Sequence, residues 1–518
     1  MGADEATPHA VRAGEVANGS NGDAGDAHAA KRQKVSGCEA EEKVLCPSKV
    51  NANLRTMQYA MRGELYLKAQ AMEEANREVM YLNLGNPQAL GQKPFTFNRQ
   101  VLSLALGGDA VLGHERVGEL FPPDVIARAK ELLKETAGGS VGSYTDSRGI
   151  GLVRRDVADY IDARDGTATS HPACTEQIFL TDGASTGVGM MLTAAIRGRG
   201  DGILVPVPQY PLYSALVELH GGTFLGYELD EDAGWGFNLE LLEGVVAKAR
   251  ERGVTPRAMV FINPGNPTGQ CLSHEMLEQL IRFAKREHLV LMADEVYQSN
   301  VWVDTKKFIS TRKVLLGMEE GIRDSVEVIS FHTVSKGLQG ECGLRGGYLE
   351  LLNFHPDTMA MVYKMASVTL CANVPGQLAV SLMVKPPQPG DASYELYERE
   401  STELRESLRR RAMRLAGAFR GLEGMTCNDA EGALYIFPQL HLPPRAIAAA
   451  NGAGRQPDLF YCLELLEETG MCVVPGSGFG QKNNTYHMRA TILPPEDRLQ
   501  EVIDKFVNFH VKFMERYS

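Results

Sequence analysis

From about residue 44 onward, short apolar runs alternate with helical stretches. The runs Gln177–Thr181, Gly202–Pro206, Arg257–Asn263, Val290–Ala293, Val326–Phe331 and Gly346–Glu350 predict strands, and Glu275–Glu287 predicts one of the helices between them. Strands that alternate with helices predict an α/β fold with a mostly parallel sheet covered on both faces. Ligands of such sheets sit at the carboxyl ends of the strands, so the loops that follow these strands are expected to converge. Lys385-Pro386-Pro387-Gln388-Pro389-Gly390 breaks the pattern, and a long charged helix is expected from Ser393 to about Arg420.

This reading divides the chain into four parts. Residues 1–43 form a tail, 44–100 the N-terminal part of a small domain, 101–392 a large domain and 393–518 the rest of a smaller α/β domain. The tail is rich in Ala, Gly, Asp, Glu and Asn and lacks periodic apolar positions, so it cannot bury enough surface to offset its chain entropy. It is expected to be disordered. No internal repeat is visible.

Composition narrows the function classes. The chain has 518 residues and a formal net charge of −12, which argues against a nucleic-acid partner. Nine scattered cysteines without a C-x-x-C pair read as reduced thiols, with no structural metal site. No apolar run approaches the roughly 18 residues of a membrane span. The first 30 residues carry Asp4, Glu5, Glu15, Asp23 and Asp26 against one arginine, Arg12, and no apolar h-region. That composition fits neither a secretory signal nor an organelle transit peptide, so a cytoplasmic location is expected.

The segment from Ser330 to Tyr348 carries the most chemistry. A strand runs into small hydroxyl residues, then a lysine, then glycines and an arginine. Thr333 and Ser335 can donate hydrogen bonds to a phosphate, and Arg345 can bind it through a bidentate fork. Lys336 can form an imine with an aldehyde once desolvation or a nearby cation makes its amine available. A plain glycine-rich loop with a surface lysine is the alternative. Asp294, at the end of another strand, reads either as a helix N-cap or as the carboxylate that keeps a pyridine nitrogen protonated; Tyr297, three residues on, would reach the ring hydroxyl.

Asn263-Pro-Gly-Asn266-Pro267-Thr-Gly269 is a turn signal in which the Asn266 amide can donate to a phenolic oxygen, with a cis bond expected at Asn266–Pro267. Asp182-Gly183-Ala184-Ser185 joins a strand to a helix start, whose free N–H groups suit an anion. Tyr210 could stack on a flat ring or belong to the core. Arg489, flanked by Met488 and Ala490 on an apolar strand, needs an anion: a substrate carboxylate or an internal acid.

Together these residues resemble the fold-type I pyridoxal-phosphate (PLP) aminotransferases, and within them the alanine aminotransferase group with its glutamate:glyoxylate relatives. The resemblance runs from about Val50 to the C-terminus and rests on Asn263–Gly269, Asp294–Tyr297, Ser330–Tyr348 and Val474–Gly480. The stretches that begin at Leu84 and Gly142 add to it. It implies a large domain with a mostly parallel, seven-stranded type of sheet and a smaller α/β domain. It makes Lys336 the Schiff-base and proton-shuttle lysine, Asp294 the pyridine-nitrogen partner, Tyr297 and Asn266 the ring-hydroxyl donors, and Tyr210 the stacking aromatic. Ala184, Ser185, Thr333, Ser335 and Arg345 become the phosphate cup. Tyr144 matches a tyrosine that reaches the phosphate of a neighbouring subunit, which implies a homodimer. Arg489 binds the substrate α-carboxylate, with Gly85 and Asn266 nearby. The implied reaction is ping-pong transfer of an amino group between L-alanine and 2-oxoglutarate, with no metal. A glutamate:glyoxylate pair shares every one of these motifs. A PLP lyase or synthase on the same fold, and a non-catalytic binding protein, are the other classes.

Overall fold

The computed structural model describes residues 44–59 and 63–518. The expected disordered tail, 1–43, lies outside them. Residues 57–518 form one compact unit, and the described part of the segment before it holds a short helix, Ala52–Thr56.

The centre is an eight-stranded sheet. Its strands are β1 (Ile178–Thr181), β2 (Asp201–Val207), β3 (Thr223–Asp230), β4 (Gly236–Phe237), β5 (Thr255–Ile262), β6 (Val290–Asp294), β7 (Val328–Thr333) and β8 (Gly347–Leu352), in the order β1-β8-β7-β6-β5-β2-β3-β4. Strands β7, β6, β5, β2 and β3 run parallel; β8 is antiparallel to both β1 and β7, and the two-residue β4 is antiparallel to β3 at the edge. The mostly parallel sheet is as the sequence implies, with β4 as an extra edge.

Alternate residues of the central strands enter different cores. Val260, Ile262 and Met292 pack on one side, where Val188, Met191 and Leu192 of the helix Ala184–Ala195 also lie. Met259, Phe261, Leu291 and Ala293 face the other, against Leu242 and Val246 of Leu239–Glu251 and Leu277, Leu280 and Ile281 of His274–Glu287. Both faces are covered, so these strands read as continuous apolar runs. Helix His274–Glu287 forms where the sequence predicts it: the Ser273 side chain accepts from Met276 N, Glu275 lies in the first turn, and Lys285 and Arg286 lie in the last. The long helix spans Tyr394–Arg420.

Register positions the site. Ile262 pairs with Asp294, and Asp294 pairs with Phe331, so β5, β6 and β7 end side by side. Because β8 runs the other way, its first residue, Gly347, pairs with both Thr333 and Thr181. The loop before β8 therefore opens on the same edge as the loops after β1, β5, β6 and β7. Farther along the chain, β9 (Tyr435–Ile436), β10 (Val474–Pro475) and β11 (Met488–Thr491) form an antiparallel sheet with β11 central. Met80–Tyr81 pairs in parallel with Met471–Cys472. No helix of the described residues is long and apolar enough to cross a membrane.

Candidate active site

The convergent strand ends surround a cavity of about 330 Å³. Twelve of the thirteen residues singled out in the sequence line it: Gly85, Ala184, Ser185, Tyr210, Asn266, Asp294, Tyr297, Thr333, Ser335, Lys336, Arg345 and Arg489. The thirteenth, Tyr144, is 73% exposed and does not line it.

One end of the cavity is built around Arg345. Its Nη1 donates to Ser335 Oγ at 3.2 Å and to Cys342 O at 3.0 Å, and its Nη2 donates to Asp182 O at 3.1 Å and Ser185 Oγ at 3.3 Å. Every one of these acceptors is neutral. Gly183 precedes the helix start at φ +81°, and a Cβ there would lie 3.0 Å from the Arg345 Cζ. Glycine thus lets the guanidinium sit against the first N–H groups of helix Ala184–Ala195, a combination that suits an anion. The two hydroxyls differ. Thr333 Oγ1 lies 2.7 Å from Gly346 O and 3.2 Å from Ser335 Oγ, so its proton best serves the carbonyl. Ser335 is the hydroxyl left to face the cup. Asn373, which the sequence reading passed over, ties the cup together: its Nδ2 donates to Asp182 Oδ1 at 2.7 Å and to Arg345 O at 3.0 Å. Its one visible signal is its place as the N-cap of helix Val374–Val384.

The floor holds Asp294, the last residue of β6 and 7% exposed. No helix follows it, so it caps none. Tyr213 Oη donates to its Oδ2 at 2.7 Å, and Val296 N lies 3.4 Å from Oδ1. Burial pushes its carboxyl up to about 6, against the lowering effects of those two hydrogen bonds and of Lys336. Tyr213 is a second residue the sequence reading missed; it lies three positions after Tyr210, and no local pattern separates it from a core tyrosine. Asn266–Pro267 is cis, as are Asn263–Pro264 and Val207–Pro208.

The opposite end is built around Arg489, brought in by β11 and 1% exposed. Its Nη1 donates to Asn266 Oδ1 at 3.1 Å and its Nη2 to Asn83 O at 2.8 Å, while Nε is buried without a partner. Among the described residues no carboxylate pairs with it, which removes the internal-acid alternative. Its Cζ lies 4.0 Å from the ring centre of Tyr435 and 4.7 Å from that of Phe479. Tyr435 and Phe479 also escaped the sequence reading, as members of ordinary apolar runs. Between the two ends, Lys336 Nζ donates to Gly85 O at 2.8 Å.

This arrangement has a charge pattern that calls for a ligand. Two guanidiniums face one cavity with only neutral acceptors, and a buried carboxylate faces it with only a phenol and a backbone N–H. Arg489 and Asp294 are buried, and buried charges without counter-charges are costly, so these two are expected to be completed by what the cavity binds; Arg345 is exposed. The residues fit a flat ring with a protonated nitrogen over Asp294, a phosphate at Arg345, an aldehyde within reach of Lys336 and a carboxylate at Arg489.

The sequence pattern described as "Aminotransferase class I and II" matches residues 114–506. This chain belongs to that family. Two relatives show how near it stands to named members. One, named glutamate–glyoxylate aminotransferase 2, from Arabidopsis thaliana, is 52% identical over 476 residues, covering 92% of this chain and 98% of the relative. Another, named alanine aminotransferase 2, from Panicum miliaceum, is 48% identical over 477 residues, covering 90% and 98%. A solved structure titled as an alanine aminotransferase from Pyrococcus furiosus superposes with a TM-score of 0.70, at 22% identity, over 89% of this chain and all of that one. At that identity the likeness speaks for the fold. This aminotransferase thus places the carboxyl ends of its parallel strands, the Gly183 turn and the Arg489 strand around one cavity.

Proposed function

We propose that this aminotransferase uses PLP to move an amino group between L-alanine and 2-oxoglutarate, giving pyruvate and L-glutamate. The observation that carries the reading is the set of unneutralised charges in one cavity: Arg345 and Arg489 at opposite ends, Asp294 on the floor and Lys336 between. When bound, PLP supplies an aldehyde carbon for the substrate nitrogen and a ring that draws electrons from the α-carbon. Arg345, Ser335, Ser185 and the helix start at Ala184 would hold its phosphate. Asp294 would keep a proton on the ring nitrogen, supported by Tyr213, while Tyr297 and Asn266 would donate to the ring hydroxyl and Tyr210 would lie against the ring. Arg489 would hold the α-carboxylate beside Gly85. Lys336 Nζ would carry the proton away from the α-carbon and return it at the far end of the transfer.

Relatives at similar identity carry two names, and the 52% relative is the one named for glutamate and glyoxylate. That observation favours a second reading in which glyoxylate is the acceptor. The test is a steady-state comparison of kcat/KM for pyruvate and for glyoxylate with L-glutamate as donor. A higher value for pyruvate is expected; a higher value for glyoxylate replaces the alanine reading with the second one.

Three further assignments belong to this proposal. Tyr144, exposed on its own chain, is read as reaching the phosphate of a second copy in a homodimer. The chain is read as two domains with a boundary near residue 393, and the pairing of Met80–Tyr81 with Met471–Cys472 supports joining residues 44–100 to the second of them. The acid-rich first 30 residues support a cytoplasmic location, although a Dictyostelium discoideum relative is named mitochondrial.

A further inference from the structure

Tyr435 lines the cavity and stands closer to Arg489 than Phe479 does. Its side chain is buried, and the Arg489 Cζ lies 4.0 Å from the centre of its ring and 4.7 Å from that of Phe479. The guanidinium therefore packs against two aromatic rings. Phe479 is itself braced: its ring meets Phe437 at 5.8 Å, and Phe437 stacks on His487, which lies two residues before Arg489 on the chain.

The Tyr435 hydroxyl reaches into the space where substrate would lie. The point at which a side chain on Gly85 would begin is within 3.0 Å of both Tyr435 Oη and Lys336 Nζ. Tyr297 Oη donates to Tyr435 Oη at 3.5 Å. The ionisable groups that face this hydroxyl are thus Lys336, Arg489, Tyr297 and Cys342, with Tyr210 beside them. We propose that Tyr435 is a substrate-contacting residue of the carboxylate site: its ring fixes the plane of the Arg489 fork and its hydroxyl donates a hydrogen bond to the bound acid. This inference rests on the carboxylate role of Arg489 proposed above.

The test uses the PLP-loaded protein and propionate, an alanine analogue without the amine, so no turnover occurs. Calorimetric titration gives its affinity. Tyr435→Phe keeps the ring and the fold; it is expected to bind propionate roughly ten-fold more weakly, the loss of one hydrogen bond to a charged group, with PLP still bound and the cofactor absorbance unchanged. Wild-type affinity in Tyr435→Phe would overturn the assignment. Arg489→Ala separates the two readings. If it loses propionate binding while Tyr435→Phe does not, only the Tyr435 role falls; if it binds as wild type does, the carboxylate site itself is misplaced.

Discussion

At the scale of single residues, the site is defined by charges that lack counter-charges bonded to them among the described residues. Asp294 makes this measurable. Its carboxyl is raised by burial from an ordinary 3.8 to about 6. Between those values the unfolded chain has released the proton and the folded chain still holds it. The contribution of this group to stability is therefore fully present below about pH 3 and falls as pH rises to about 7, by about 3 kcal/mol, with no further change above that. In the cofactor-free protein, Asp294→Asn is expected to gain about that much relative to wild type between about pH 3 and about pH 7. Urea unfolding at both pH values measures it, and parallel changes in the two proteins would contradict it. The residues legible in the sequence were those whose chemistry is unusual for their place: a lysine among hydroxyls and glycines, an arginine inside an apolar strand, an acid at a strand end. Tyr213, Tyr435 and Phe479 were not legible, because a tyrosine or phenylalanine in an apolar run looks the same whether it packs on leucine or on a guanidinium.

At the scale of elements, the junction between β1 and helix Ala184–Ala195 sets the phosphate cup. Gly183 sits at φ +81°, ψ 163°, a region open essentially to glycine, and its missing side chain is what lets the Arg345 guanidinium lie against the turn. Gly183→Ala is expected to displace the flexible end of Arg345 while the core strands stay in place. Equilibrium binding should show PLP affinity reduced at least roughly ten-fold, the loss of a hydrogen bond to a charged group, with far-ultraviolet dichroism unchanged. Wild-type affinity would contradict the role given to this turn. The strands bearing motifs were readable because they are buried on both faces. Strand β3 was missed for the opposite reason: at the outer part of the sheet, Glu228 and Asp230 interrupt its apolar pattern and several of its residues remain partly exposed. The antiparallel direction of β8 was not readable either, since a run such as Gly346–Glu350 does not reveal which way it enters the sheet.

At the scale of the whole molecule, segments far apart in sequence complete one cavity, and Lys336 lines it. Arg489 reaches Asn83 across 406 positions of chain, and Lys336 reaches Gly85 across 251. The sequence resemblance anticipated that convergence through matching motifs, but the path by which β11 delivers Arg489 between Tyr435 and Phe479 depends on strand pairing that no local run encodes. The most direct test is to reduce the PLP-loaded protein with borohydride and map the modified peptides by mass spectrometry. The reduced cofactor is expected on one residue only, Lys336, and on none in Lys336→Ala. Label on any other lysine, or undiminished label in that variant, would contradict it.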